Sequence, residues 1–374
     1  MRPEPLLPRY GTDTIAEIVP AIAERLGVGH VEHNPLPEGD RWVLLMVDGL
    51  GWYNLAEHAD AAPFLTDLAE RQGRAWTSGV PSTTVTSLTS LGTGLPPGEH
   101  GMVGYSSRMP RTGELFNALV WDSAVTPREY QPHATCFERL RAAGIDTATV
   151  APERFEGSGL TFAALRGPVF HGIGDERDED LRVELTVAGA TAGPRSLTYV
   201  YERELDHTGH TLGCTSPQWR NELIRIDGLV EHLREDLPDD VRLVITGDHG
   251  MLDIDPAHQI IIEDHPDLIA GIDLVAGEGR LRQLYVDREP LEAVAARWRD
   301  VLGDRAWVRT RDEAFDEGWF GHVSPEVSLR YGHLLVAMAD DAALMTTTQP
   351  RELNLVGQHG SLTPVELTIP LLVC

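Results

Sequence analysis

The sequence predicts an α/β protein whose mostly parallel sheet is covered by helices on both faces, and three observations predict it. Apolar runs of strand length at residues 42–47, 147–150, 197–201 and from Leu243 onward are continuous rather than alternating, as expected of strands buried on both faces. Segments with helical spacing separate them, and such βα alternation places successive strands parallel. Two runs end abruptly in acidic turns, Asp48-Gly49 and Gly247-Asp248-His249-Gly250. Ligand sites of open α/β sheets lie at such carboxyl ends.

The chain has 374 residues, 42% of them hydrophobic, enough for a sizeable core. Its net charge of -27 argues against a nucleic-acid polymer or an anionic membrane as the main partner. An anionic substrate then needs a local positive centre, and a bound metal is the obvious one. All 31 basic residues are arginine. Cys136, Cys214 and Cys374 are few, odd in number and widely spaced, which speaks against a disulfide framework. Residues 1–10 contain no apolar core of signal-peptide length, and no segment is long enough to span a bilayer. The expectation is a soluble, cytoplasmic protein.

In chain order, residues 15–26 read as an amphipathic helix and 42–47 as the first buried strand. Helical pattern continues to Arg71. Pro81-Ser82-Thr83-Thr84 then opens a Ser/Thr-rich segment with apolar positions at helical spacing. A helix is expected at 135–143, a strand at 147–150, a helix at 181–188, a strand at 197–201 and a long helix at 216–233. After Asp255 the pattern becomes irregular, with strands expected at 282–286 and 334–339 and a helix at 290–302. We read residues 255–348 as a small inserted α+β cap, and 1–254 with 349–374 as the α/β core. The end, 365–373, is an apolar tail.

Neighbouring side chains of a strand point to opposite faces, so Asp248 and His249 can serve one centre only beyond the strand end, where Gly247 and Gly250 permit a bend. Asp48 suits a metal ligand or a helix N-cap. Asp206 and His210 project from one face if their segment is helical, although Gly209 also allows a tight turn. Each of the three aspartates follows a strand-like run, so all should reach one sheet edge. With His210, His249 and His359 they form a mixed carboxylate and imidazole set suited to a pair of divalent ions about 4 Å apart.

The order of these motifs resembles the alkaline phosphatase superfamily, and most closely its nucleotide pyrophosphatase/phosphodiesterase branch, over nearly the whole chain outside the cap. The resemblance implies a metal-dependent hydrolase of phosphodiester or pyrophosphate bonds that acts through a covalent phosphothreonine. It implies one metal held by Asp48, Thr84, Asp248 and His249 and another by Asp206, His210 and His359, with zinc expected and manganese the alternative. Thr84 is selected as nucleophile by the family spacing from Pro81, with Thr83 as fallback. A hydroxyl needs such activation, since it ionises only far above neutral pH.

Two positions depart from the family pattern. Where the branch has an aromatic and an Asn shortly after the nucleophile, this chain has Val85 and Ser87. Ser87 would contact a phosphoryl oxygen weakly, and Val85 cannot clamp a nucleobase. Tyr201, five residues before Asp206, reads equally as the family's stacking tyrosine and as a core aromatic. Val85, Ser87 and Tyr201 are thus the candidate contacts to a small phosphoester, a nucleotide among the options. His100 reads as structural, Cys214 as a small buried residue, and Arg108, Arg154 and Arg166 as solvated arginines within possible reach of phosphate. A phosphomonoesterase or phosphonate hydrolase on the same scaffold is the alternative, and a silent metal-stabilised binding protein a more distant one.

Overall fold

The computed structural model describes residues 3–122 and 124–374; Met1 and Arg2, which open the polar start read above, lie outside the described residues. A seven-stranded sheet forms the centre. Its spatial order is Arg74–Thr77, Thr368–Val373, Val241–Gly247, Arg41–Val47, Ser196–Glu202, Asp146–Pro152, Val169–Ile173. Six strands run in one direction and Thr368–Val373 runs against its two neighbours. The strands predicted from continuous apolar runs occupy the middle of the sheet, and each buries side chains on both faces.

One face is covered by Pro63–Gln72 and the 20-residue helix Pro217–Asp236, whose Trp219, Leu223, Ile226 and Val230 pack on Val43, Leu45, Val47, Leu243 and Ile245. The other face holds Ile18–Arg25 and Cys136–Ala142 against Trp42, Leu44, Met46, Leu197 and Tyr199. Caps set these helices as their sequences suggest: Thr135 and Glu138 form a capping box, and Ser216 accepts the Trp219 amide. The helical pattern expected up to Arg71 is two helices, Trp52–Glu57 and Pro63–Gln72, with Pro63 starting the second.

Between the Asp248 turn and His359 the chain builds a second, four-stranded antiparallel sheet in the order Ile272–Glu278, Leu281–Val286, Leu334–Met338, Ala306–Thr310. Leu291–Leu302 covers it with Val294, Ala295 and Trp298, which gives this sheet a core of its own. Among the described residues no helix is long and apolar enough to cross a membrane.

Candidate active site

Register explains why the three aspartates meet. Val47 is level with Glu202 on one side and with Gly247 on the other, so three neighbouring parallel strands stop at the same height. Asp48 and Asp248 follow immediately, and Asp206 lies in the first turn of Glu204–Leu212. The segment is helical, so Asp206 and His210 do share one face. Gly49 has φ 78°, and a Cβ there would stand 3.0 Å from Asp206 Cα, so only glycine lets this turn pass so close to the helix. The glycines flanking Asp248-His249 work differently from the bend expected of them. Neither has positive φ; a Cβ on Gly247 would lie 2.1 Å from the Leu50 carbonyl, and one on Gly250 2.0 Å from that of Val365. They permit close packing of backbone.

Thr84 is the first residue of Thr84–Thr93, and Thr83 in front of it makes no side-chain cap. The Thr84 hydroxyl lies 3.4 Å from Asp48 Oδ1 and 3.4 Å from His249 Nε2. His249 Nε2 is 3.5 Å from Asp48 Oδ1 and 3.4 Å from Asp248 Oδ2. A second group gathers Asp206, His210 and His359: His210 Nε2 is 3.4 Å from Asp206 Oδ1 and 3.3 Å from His359 Nε2. Asp206 also lies within reach of Asp48 and His249, so its carboxylate stands between the two groups.

Three observations show that these residues fit divalent metal. The spacings match the edge of a tetrahedron with metal–ligand bonds of about 2.0–2.1 Å, which is roughly 3.3–3.4 Å. Each histidine has Nδ1 against a backbone carbonyl, His210 on Gly357, His249 on Gly250 and His359 on Ser82. A carbonyl only accepts, so Nδ1 carries the proton and Nε2 offers a lone pair inward. Finally, Asp206 Oδ1 and Asp248 Oδ2 are buried with no hydrogen-bond donor, and no arginine pairs with any of the three aspartates among the described residues. Burial first, then Asp248 and Asp206, holds the Asp48 carboxyl well above the usual carboxylate range. Burial first, then His249 and His210, holds His359 well below the usual imidazole range. A cation in the cluster would remove the repulsion behind both shifts.

The remaining candidates are placed as follows. Tyr201 is buried and donates its hydroxyl to Asp48 Oδ2, with Tyr199 stacked beside it and Phe155 against its edge. Its ring nevertheless forms part of the wall of a cavity of about 940 Å³ that opens over Thr84 and the Asp/His cluster. Val85 packs with Met102, Phe116 and Tyr130, and Ser87 is fully buried with its hydroxyl unpaired. Neither lines the cavity, whereas Thr84 and Leu88, one turn apart, both do. Of the three arginines named above, Arg154 lines the cavity; Arg108 sits over Tyr285 and Arg166 binds Glu138 and backbone carbonyls. His100 is buried, accepts the Met102 amide and bonds Ser90; burial pushes its pKa down to about 3, so it stays neutral. Cys214 is buried against Asp253.

Several residues at the site carried no local signal in the sequence. Ser82 accepts from His359 Nδ1 through its carbonyl and from the Gly360 amide through its hydroxyl, and so sets that histidine. Tyr105, on the loop after His100, lines the cavity and donates to Glu352 and Gln349. Glu278 ends the first strand of the second sheet and also lines the cavity. Burial raises its carboxyl from 4.5 to about 7. The folded metal-free protein therefore holds this proton more tightly than the unfolded chain, and stability is lost as pH rises from the unfolded value through about 7. Glu278→Gln should raise the melting temperature of metal-free protein more at mildly alkaline than at mildly acidic pH, as read by calorimetry.

A sequence model of the type I phosphodiesterase / nucleotide pyrophosphatase family matches residues 42–362. The chain belongs to this family. Among curated phosphodiesterase-family proteins, human ectonucleotide pyrophosphatase/phosphodiesterase family member 7 is 30% identical over 116 residues, 30% of this chain and 25% of the human one. The rat protein of the same name is 28% identical over 116 residues. The chain thus aligns with about a quarter of the length of these relatives. Murine ectonucleotide pyrophosphatase/phosphodiesterase 5, an inactive threonine-to-alanine form in complex with AMP, shares the fold with a TM-score of 0.71 at 17% identity, covering 89% of this chain and 87% of that one. Phosphonoacetate hydrolase from Sinorhizobium meliloti, in complex with phosphonoacetate, has a TM-score of 0.68 at 20% identity, covering 90% of each chain. Both structures share this chain's fold, a mostly parallel sheet flanked by helices, which is the fold class its strand pattern led us to expect.

Proposed function

We propose that the protein hydrolyses phosphodiester or pyrophosphate bonds with Thr84 as nucleophile and two divalent metal ions as cofactors. The observation that carries this reading is the Thr84 hydroxyl at an uncapped helix start, 3.4 Å from both an aspartate and a histidine whose free lone pairs face it. Asp48, Thr84, Asp248 and His249 would hold one ion and Asp206, His210 and His359 the other, with Asp206 placed to reach both. Zinc suits the nitrogen and oxygen donors, with manganese the alternative. Bound there, the ions would supply Lewis-acid stabilisation of the oxygens that gain charge.

The chain's own residues do the rest. As Thr84 Oγ forms the new bond to phosphorus, the bond to the leaving oxygen breaks; that oxygen keeps the electron pair and takes up the proton that the Thr84 hydroxyl gives up. Water then attacks the phosphothreonine and returns the hydroxyl. The open first turn of Thr84–Thr93 favours the negative oxygens. The carbonyls of Ser82, Gly250 and Gly357 keep all three imidazoles in one tautomer, and Tyr201 fixes Asp48.

Formal charge favours a diester. Two divalent ions against three carboxylates leave a site of about +1, near zero once Thr84 is ionised, which accepts a monoanion without further cations. The inactive threonine variant among the structural neighbours is in keeping with a threonine nucleophile, and the fold shared with phosphonoacetate hydrolase keeps a phosphonate hydrolase as the second reading.

A kinetic comparison of a simple diester, its matching monoester and a phosphonate ester on zinc-loaded protein should give the highest kcat/KM for the diester; a monoester preference would overturn the assignment. Exhaustive chelation should abolish turnover and zinc should restore it. His359→Ala should lower the bound metal from two equivalents to one by elemental analysis, because the group around Asp48 keeps its protein ligands.

A further inference from the structure

Glu278 combines two features that ordinary packing does not explain. Its Oε1 accepts from the Tyr105 amide at 3.0 Å, and the Thr83 side chain lies beside the carboxylate. Its Oε2 is buried and has no donor, although the residue is only 7% exposed and lies in the cavity wall. Nearby donors are committed elsewhere. Arg282 binds Glu352 and the carbonyls of Leu344 and Gly277; the Tyr105 hydroxyl serves Glu352 and Gln349; the Gln283 amide binds the Val103 carbonyl. A buried carboxylate oxygen left unpaired is costly, and such groups in native structures have a reason. Once Glu278 is ionised, above about pH 7, the donor that Oε2 lacks has to come from the cavity.

Position says which part of a substrate brings it. Thr83, which Glu278 touches, immediately precedes Thr84, and all three line the same cavity, so Glu278 stands on the Thr84 side of it. In-line displacement sends the leaving group to the opposite side, while the other ester arm stays on phosphorus close to Thr84. We propose that Glu278 Oε2 accepts a hydrogen bond from an O–H or N–H group on the retained ester arm, which makes Glu278 a specificity-determining residue for diesters carrying such a donor near phosphorus. The proposal rests on the diesterase reading above. It also accounts for an acid in a phosphate-binding cavity: the carboxylate repels a second negative charge on the substrate and attracts a donor.

The test uses the full-length, zinc-loaded protein and three para-nitrophenyl phosphodiesters whose retained arm is ethyl, hydroxyethyl or aminoethyl, with uncatalysed rates subtracted. Wild type should favour a donor-bearing arm over ethyl by about 10- to 100-fold in kcat/KM, the range of a hydrogen bond to a charged group. The hydroxyethyl and aminoethyl arms separate a hydroxyl from an ammonium as the donor. In Glu278→Gln that ratio should collapse toward unity, and in Glu278→Asp, which keeps the carboxylate, part of it should survive; melting curves confirm that each variant is folded. Equal kcat/KM for all three arms in wild type overturns the proposal, as does a ratio preserved in Glu278→Gln while all three rates fall together. Ethyl-diester turnover without an arm preference sinks this inference alone; no turnover on any diester sinks the diesterase reading and the inference with it.

Discussion

Thr84→Ala is expected to lower kcat for a diester by roughly 10⁴- to 10⁶-fold, the scale on which removing a nucleophile from a concerted site acts. The hydroxyl is lost from a position 3.4 Å from both Asp48 and His249, and nothing else there replaces it: Thr83 is turned to Glu278, and Ser87 lies outside the cavity. Thr84→Ser keeps the oxygen and should retain measurable turnover. Rapid acid quench of wild type should trap phosphate on a peptide containing Thr84. A diester chiral at phosphorus should react with overall retention, because two successive in-line displacements each invert. Net inversion, or a near-normal rate for Thr84→Ala, would mean that water attacks phosphorus directly.

The second large effect concerns stability. Arg280, on the turn between the first two strands of the second sheet, binds Glu366 through two nitrogens at 3.0 and 2.8 Å, and both side chains are fully buried. Glu366 also accepts the Ser361 amide and the Thr363 hydroxyl. Arg280→Met leaves a carboxylate buried beside the His359 loop, and breaking such a pair costs about 3–5 kcal/mol. The urea midpoint should fall accordingly. Pairing the change with Glu366→Leu should recover part of the loss through apolar packing, but not the anchor at Ser361, so metal affinity should stay low in the double variant. Equal stability of Arg280→Met and wild type would mean that the second sheet is not fastened to the site loop in this way.

The central strands were legible because both faces of each are buried, which leaves uninterrupted apolar runs such as that ending at Asp48. The aspartates were legible for a related reason: level strands bring residues just past their ends together, and end position can be read from sequence. Burial on one face or pairing at an edge leaves a weaker trace. The strands Arg74–Thr77 and Val169–Ile173 expose several residues and were not recognised. Ala306–Thr310 falls in the stretch after Asp255 whose pattern reads as irregular, although Trp307 is a buried strand residue. The contacts of Ser82, Tyr105 and Glu278 with the site span well over a hundred residues, and no local period records such a meeting. Val85 and Ser87 were assigned by linear distance from Thr84, but the helix turns them away from the cavity within a single turn.

Thr368–Val373, which read only as an apolar tail, lies between Val241–Gly247 and Arg74–Thr77. The strand that follows all the others in sequence is thus an interior stave of the sheet. Until it arrives, Arg74–Thr77 has no partner strand to join, and Val241–Gly247, which delivers Asp248, presents an open edge. His359 is synthesised only nine residues before this stave begins. A growing chain therefore lacks the complete Asp and His cluster until nearly all of this fold has been made, and a chain cut just before Thr368 should yield an aggregation-prone product rather than a smaller enzyme.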